Sequence, residues 1–250
     1  MKVSACICTR NEEKTLPGLL GSLLGRVDEI VIVDGGSTDR TLSIAAEYTE
    51  SVYHGDSGHP DGDRHIYVEK ARNDWILAVD ADERFCSAFL RRLAFLGDDY
   101  TGYWISRRNY YAPGKYYRHI IYPDYQLRLY DRRKLVRIND RIHSRPVVNG
   151  PLRWLPEEYY IEHLKSIFSN HEKYHRYALL QSHENPGTPS LSIAIHQFIQ
   201  WYGYALKTGC WRDGVVGVKI AYSQALYHYW LYRAGFTLSS RTGDAGEVRD

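Results

Sequence analysis

The sequence contains no run of about 18 uninterrupted apolar residues, so no stretch of it is suited to cross a bilayer as a helix. Its first apolar stretch, residues 1–8, is too short for a secretory signal and runs directly into charged residues, so no leader is expected. Cysteine is scarce. Cys6, Cys8, Cys86 and Cys210 have neither metal-finger spacing nor the density of a disulfide-stapled secreted scaffold, and a reducing cytoplasm is the simplest expected setting. An excess of one charge is lacking too: 32 basic and 30 acidic side chains leave a net charge of +2. General nucleic-acid binders concentrate basic charge, so that partner class is set aside. Arg91-Arg92, Arg107-Arg108 and Arg132-Arg133-Lys134 read as solvated faces, with a diphosphate or an anionic lipid as their other use. No internal repeat or low-complexity tract is present. What is there, 250 residues with 44% hydrophobic content, suffices for one sizeable core and for a single α/β domain.

Residues 76–84 read Ile-Leu-Ala-Val-Asp-Ala-Asp-Glu-Arg, an apolar run of strand length that ends in Asp80, Asp82 and Glu83. Carboxylates there lie where an open α/β sheet gathers its ligands. Three anionic groups so close together repel unless a divalent cation or hydrogen-bond donors offset the repulsion, and oxygen ligands favour Mg²⁺ or Mn²⁺ over zinc. The plain alternative is a solvated turn after a strand, since a bare Asp-x-Asp is common. Upstream, the β-branched run 29–33 closes on Asp34-Gly35-Gly36-Ser37-Thr38-Asp39-Arg40-Thr41, after which Leu42, Ala45, Ala46 and Tyr48 recur at helical spacing. That is strand, glycine turn, helix. Gly35 and Gly36 let the backbone approach a ligand or take positive φ, Ser37 or Thr38 stands where a helix cap is expected, and the helix N-terminus favours an anion. Asp34 is equally readable as an ordinary turn aspartate. A third unit opens the chain, with apolar residues 3–8, then Thr9-Arg10-Asn11-Glu12-Glu13, then a helix carrying Leu16, Leu19, Leu20, Leu23 and Leu24.

Ile7-Cys8-Thr9-Arg10-Asn11-Glu12, Val31-Ile32-Val33-Asp34-Gly35-Gly36-Ser37-Thr38-Asp39 and Asp74-Trp75-Ile76-Leu77-Ala78-Val79-Asp80-Ala81-Asp82-Glu83, in that order and spacing, resemble the family 2 glycosyltransferases. The resemblance implies a GT-A fold: an α/β domain with a Rossmann-like, mostly parallel sheet flanked by helices, which binds a nucleoside-diphosphate sugar and transfers the sugar with inversion. Tyr122-Pro123-Asp124 followed by Arg128-Leu129-Tyr130, together with Ile142-His143, Glu162-His163 and the aromatic C-terminal region, is similar to a narrower branch. That branch contains bacterial lipopolysaccharide-core glucosyltransferases acting on lipid-linked saccharides. The organisation expected is a GT-A domain over residues 1–163, with a nucleotide-binding half at 1–95 and an acceptor half at 96–163, then a helical extension at 164–250. The polar stretch 55–63 reads as a mobile loop, and a Pro/Gly break is expected at Asn185-Pro186-Gly187-Thr188-Pro189.

The same resemblance implies residue roles. Asp82 is the first metal ligand and His163 joins it, although an isolated histidine is as readily structural. Asp80 binds ribose or reaches the metal through water, and Asp34 accepts from the base or ribose. Thr9, Arg10, Asn11, Glu12, Ser37, Asp39, Arg64 and Arg128 complete the substrate-binding set. In the family a basic residue followed by Asn often stands at the place of Arg64, near the sugar nucleotide; here Arg64 is followed by His65. The attacking hydroxyl needs a base, and a carboxylate of low pKa suffices because the proton leaves late, as the bond to an oxocarbenium-like carbon forms. Asp124 is the expected base, with Asp140 and Glu162 in reserve; the bland alternative for Asp124 is an i,i+4 pair with Arg128 on a helix. The branch usually carries Glu after the histidine matching His143, where this chain has Ser144. The donor is a nucleoside-diphosphate sugar, with uridine favoured, and the acceptor a saccharide or lipid-linked hydroxyl.

Three rivals share parts of the pattern. A haloacid-dehalogenase phosphatase would use the Asp80/Asp82 pair, but it expects Thr or Val in place of Arg84 and expects this strand first. A sugar-nucleotide pyrophosphorylase needs a Gly-rich basic loop near the N-terminus, which is absent. A catalytically silent sugar-nucleotide-binding protein of the same fold is the non-enzyme alternative, and the retained carboxylates argue against it. Near the C-terminus, Trp201, Tyr202, Tyr204, Tyr222, Tyr227, Tyr229, Trp230 and Tyr232 are flanked by Lys207, Arg212, Lys219 and Arg233. Such helices suit a peripheral position on the inner membrane face, or packing on the sheet domain or on a second copy in a homo-oligomer.

Overall fold

The computed structural model describes residues 1–55, 62–97, 99–119, 122–138, 145–163, 175, 178–179, 181–183, 187 and 189–236. The chain divides into two compact units, Met1–Ile167 and Phe168–Asp250. The first opens with the expected alternation: β1 (Val3–Thr9), α1 (Leu16–Leu23), β2 (Glu29–Asp34), α2 (Thr41–Ala46), β3 (Val52–His54), α3 (Arg64–Lys70) and β4 (Trp75–Asp80). These strands are parallel, in the order β3-β2-β1-β4. Both faces of the sheet are covered, which is why its strands read as unbroken apolar runs. On one face Ala5, Ile7, Ile32, Leu77 and Val79 pack with Leu16, Leu19, Leu20 and Leu23 of α1. On the other, Cys6, Val31, Val33, Ile76 and Ala78 meet Tyr67, Ala71 and Tyr130. Each Leu, Ile or Val among them removed from water contributes about 1.5–3 kcal/mol.

Beyond β4 come β5 (Glu83–Phe85), α4 (Ser87–Leu93), β6 (Gly102–Ala112), β7 (Lys115–Tyr116), β8 (Asp124–Asp131), β9 (Leu135–Arg137), β10 (Val147–Val148), β11 (Leu152–Trp154) and β12 (Tyr160–His163). The main sheet continues as β4-β8-β6-β12-β5, with β7 and β11 both paired to β6, while β9 and β10 form a separate pair. β8 runs antiparallel to both β4 and β6, whereas β12 runs parallel to β6 and antiparallel to β5. Two registers matter below. Arg107 stands opposite Asp124, and Asn109, His163 and Glu83 form one row across β6, β12 and β5.

Several expectations are corrected. Asp124 and Arg128 lie on the strand β8, so the helical i,i+4 pair does not exist. Neither Ser37 nor Thr38 caps α2, which begins at Thr41 with Arg40 at its N-cap and no side-chain cap bond, because Asp34 claims Ser37. The presumed solvated Arg107 is largely enclosed, its side chain 21% exposed. Most of the 55–63 loop, part of the 185–189 break, and Asp140, Ile142, His143 and Ser144 lie outside the described residues.

In the second unit Ser190 caps α5 (Leu191–Thr208) by accepting from the Ile193 amide, and Gly209 closes that helix at φ +97°. A short 3₁₀ turn, Cys210–Asp213, leads into α6 (Gly214–Arg233). Gly217 is required there, since a Cβ would lie 2.0 Å from the Cys210 carbonyl oxygen. The two helices meet along aromatic rings: Trp201 stacks on His228 at 4.0 Å, and Phe198 and Tyr202 pack edge-on against Tyr222. Among the described residues no helix is long and apolar enough to cross a membrane.

Burial pushes the His228 imidazole down to about 4 from its ordinary 6.5. Between those values the unfolded chain binds a proton that the folded one does not, so this contribution is complete above pH 6.5 and is lost as pH falls towards 4. The melting temperature of His228→Phe should therefore decline less over that interval than the parent's. Equal declines would show that the ring titrates normally.

Candidate active site

The C-terminal ends of the parallel strands meet at one edge, with Thr9 beside Asp34 and Cys8 beside Asp80. Asp34 is buried, and it organises the turn that follows β2. Its Oδ1 accepts from the Thr9 hydroxyl at 3.0 Å and from Ser37 Oγ; its Oδ2 accepts from the Gly36 and Ser37 amides at 3.1 and 2.8 Å. Gly36 takes φ +83°, and Asn11 takes φ +56°, uncommon for a residue with a side chain. The Asn11 amide donates to Ser37 Oγ, and Asn11 Oδ1 accepts from the Thr38 amide, both at 2.8 Å. Asp39 accepts from the Thr41 and Glu13 amides at 2.9 and 3.2 Å, while the Glu12 amide donates to Thr41 Oγ1 at 2.7 Å. Thr9, Asn11, Glu12, Asp34, Ser37 and Asp39 thus lock two loops together. Arg10 is exposed at their rim.

The three carboxylates after β4 separate into different environments. Glu83 is fully buried: its Oε1 meets Arg128 Nη2 at 2.7 Å and Arg107 Nη1 at 3.1 Å, and its Oε2 accepts from the Asp80 amide at 3.2 Å. Asp80, at the rim, pairs through Oδ2 with Arg128 and through Oδ1 with Arg64 Nη2 at 3.4 Å. Burial alone would raise its pKa, but Arg128 and then Arg64 outweigh that and hold the carboxyl far below the usual range. Asp82 Oδ2 stands 3.3 Å from His163 Nε2.

Asp124 accepts from Arg107 Nη2 and Nε at 2.7 and 2.8 Å, from Gln126 Nε2 at 2.6 Å and from Asn109 Nδ2 at 3.2 Å. Desolvation opposes its charge, yet Arg107 and these donors lower its pKa, so it is a carboxylate at neutral pH. His163 Nδ1 lies 2.8 Å from Asn109 Oδ1. Glu162 accepts from the Tyr110 hydroxyl at 3.4 Å, and burial together with Glu162 pushes that phenol up to about 12. Among the described residues no three His, Cys, Asp or Glu side chains cluster closely enough to hold a metal ion. Asp82 and His163 approach each other as a pair at this edge.

The structure therefore brings Arg64, Asp80, Asp82, Asp124, Arg128 and His163 into one charged site and assigns Thr9, Asn11, Ser37 and Asp39 to the loop clasp beside it. Sequence reasoning missed Glu83 as the anchor, along with Arg107, Asn109 and Gln126. The available signal was the period of two along β6, which puts polar Arg107 and Asn109 on the same face as Tyr103, Ile105 and Tyr111.

The family model described as Glycosyl transferase family 2 matches residues 4–153. The chain is 34% identical over 119 residues to the lipopolysaccharide core biosynthesis glycosyltransferase LpsC of Rhizobium meliloti, covering 44% of this chain and 43% of that one. It is 40% identical over 83 residues to a TPR repeat-containing protein of Synechococcus elongatus, covering 33% and 21%. The matches thus span under half the length of these curated relatives. Among solved structures, S. aureus TarS 1–349 in complex with UDP-GlcNAc superposes with a TM-score of 0.52 at 20% identity, over 92% of this chain and 80% of that one. The shared fold is the GT-A arrangement that the motifs implied.

Replacing Glu83 by Gln leaves two guanidiniums facing a neutral amide in a buried site. Breaking a buried pair from one side costs about 3–5 kcal/mol, and urea unfolding should show a loss of that size. A loss under about 1 kcal/mol, typical of exposed pairs, would mean that solvent reaches the arginines.

Proposed function

The chain belongs to glycosyl transferase family 2, and on that premise we propose that it is an inverting glycosyltransferase that moves a sugar from a nucleoside-diphosphate sugar to the hydroxyl of a saccharide or lipid-linked acceptor. The observation that carries this reading is the approach of Asp82 to His163 at 3.3 Å on the same sheet edge as an ionised, arginine-held Asp124. UDP is the favoured nucleotide, supported by the UDP-GlcNAc complex of the TarS structure. The name of LpsC supports an acceptor of the lipopolysaccharide-core type.

One carboxylate oxygen and one imidazole nitrogen would leave most of the shell to substrate oxygens, and a mainly oxygen shell is what Mg²⁺ or Mn²⁺ takes. Asp82 and His163 would hold the ion. A bound divalent cation supplies Lewis-acid neutralisation of the charge gained by a leaving diphosphate. The other groups act directly on substrate. Asp80, its charge secured by Arg128 and Arg64, stands at the open end of β4, where it accepts from ribose hydroxyls. Asp124 receives the proton of the attacking hydroxyl. A carboxylate so well stabilised is a weak base, and it serves because bond formation to the anomeric carbon precedes proton loss. The phosphatase alternative loses ground here, since a nucleophilic Asp80 would have to leave two guanidiniums.

Release of UDP from a panel of UDP-sugars, with water or saccharide as acceptor, tests the activity. Asp82→Ala should abolish stimulation by Mn²⁺ while leaving the melting temperature near the parent's; persistent metal stimulation would remove Asp82 from the ligand set. Asp124→Asn should lower turnover about 10²- to 10⁴-fold with donor affinity little changed. Near-parental turnover would reduce Asp124 to a brace for Arg107 and direct attention to Glu162.

A further inference from the structure

Asn109 sits in the C-terminal half of β6 and is almost wholly buried, 3% exposed, between the two working ends of the site. Its Nδ2 donates to Asp124 Oδ2 at 3.2 Å, and its Oδ1 faces His163 Nδ1 at 2.8 Å. The amide has one sensible orientation. Flipped, its oxygen would oppose the Asp124 carboxylate, and acceptor would face acceptor. With Oδ1 therefore towards His163, the imidazole carries a hydrogen on Nδ1, so that in the neutral ring the Nε2 lone pair is directed at Asp82 Oδ2, 3.3 Å away. In that neutral form two acceptors at this separation repel each other, and a proton on Nε2 or a metal cation relieves the repulsion.

We propose that Asn109 is a positioning residue that sets the metal-binding tautomer of His163 and, with the other end of the same amide, fixes Asp124 as the base. The inference rests on the glycosyltransferase reading of the site and goes beyond it by joining the donor half of the reaction to the acceptor half through one side chain. Strand geometry supports the link. His163 is the register partner of Asn109 on β12, and Asp124 is the register partner of Arg107, two residues earlier on the same face of β6. Asn109 touches neither substrate in this scheme; it acts through its two neighbours.

The two arms can be cut separately. Asn109→Leu is close in volume and removes both contacts, whereas Asn109→Asp keeps an oxygen for the His163 Nδ1–H and turns the donor facing Asp124 into a repelling oxygen. Mn²⁺ binding in the presence of UDP, followed by electron paramagnetic resonance, should weaken about 10- to 100-fold in the Leu variant, the usual effect of losing a ligand's hydrogen-bond partner. In the Asp variant it should stay equal to the parent's or tighten. Turnover, read as UDP release from a UDP-sugar to water, should fall at least about tenfold in the Asp variant through kcat, with KM for the donor unchanged. A Leu variant that binds Mn²⁺ like the parent at an unchanged melting temperature overturns the proposal, as does an Asp variant with parental kcat. If Leu prevents folding, the Asp variant alone decides. A parent that binds no Mn²⁺ with UDP would overturn the metal reading of Asp82 and His163 and this inference with it, whereas a parent that binds Mn²⁺ while the Leu variant binds equally well would overturn the inference alone.

Discussion

A carboxylate with no solvent contact needs positive charge within reach, and Glu83 has two guanidiniums and a backbone amide. An uncompensated ion there would cost several kcal/mol, more than a domain of this size can spare from its net stability. The partners come from three different strands: Arg107 from β6, Arg128 from β8, and the Asp80 amide at the end of β4. Meeting the charge of Glu83 therefore constrains how the antiparallel strands dock against the parallel half of the sheet. Buried ion pairs are poor sources of stability compared with apolar packing. What this one supplies is placement.

Placement has an electrostatic result. Arg128 is shared between Glu83 and Asp80, and Arg107 between Glu83 and Asp124, so one buried anion holds two guanidiniums that in turn keep two further carboxylates ionised. Arg64 adds a third positive charge at Asp80. Three carboxylates and three guanidiniums make the web internally neutral, and Asp82 lies beside His163. The crowding of acidic residues after β4 is thereby met: Arg64, Arg107 and Arg128 neutralise Asp80 and Glu83, and Asp82 has the His163 imidazole and the charge of Arg84 near it.

The parallel half was legible because its signals are local. Each strand is an apolar run, each turn follows it within a few residues, and three such units in order identify the family and the fold. The charged site was legible as far as its members come from those turns. Partnerships between strands were not. Nothing local to Arg107-Arg108 distinguishes a solvated pair from one arginine facing the core, and Asp124 looked like half of a helical pair because its partner Arg107 lies 17 residues upstream, joined to it only by strand register. Ser37 was misread for a related reason: a helix cap and an aspartate turn ask for the same hydroxyl, and Asp34 takes it.

β6 is where these non-local relations converge. Side chains on a strand alternate between faces, so Arg107 and Asn109 share one face only while the register of β6 holds. From that face Arg107 reaches Glu83 and Asp124, and Asn109 reaches Asp124 and His163. A slip of one residue would turn both side chains to the opposite face, leaving Glu83 short of one of its guanidiniums and the His163 ring without the acceptor that orients it. Because the unmet charge of Glu83 would be costly, the same interaction that neutralises the buried anion also penalises the wrong register. His163 and Asp124 are held at a set separation by the electrostatic demand of Glu83.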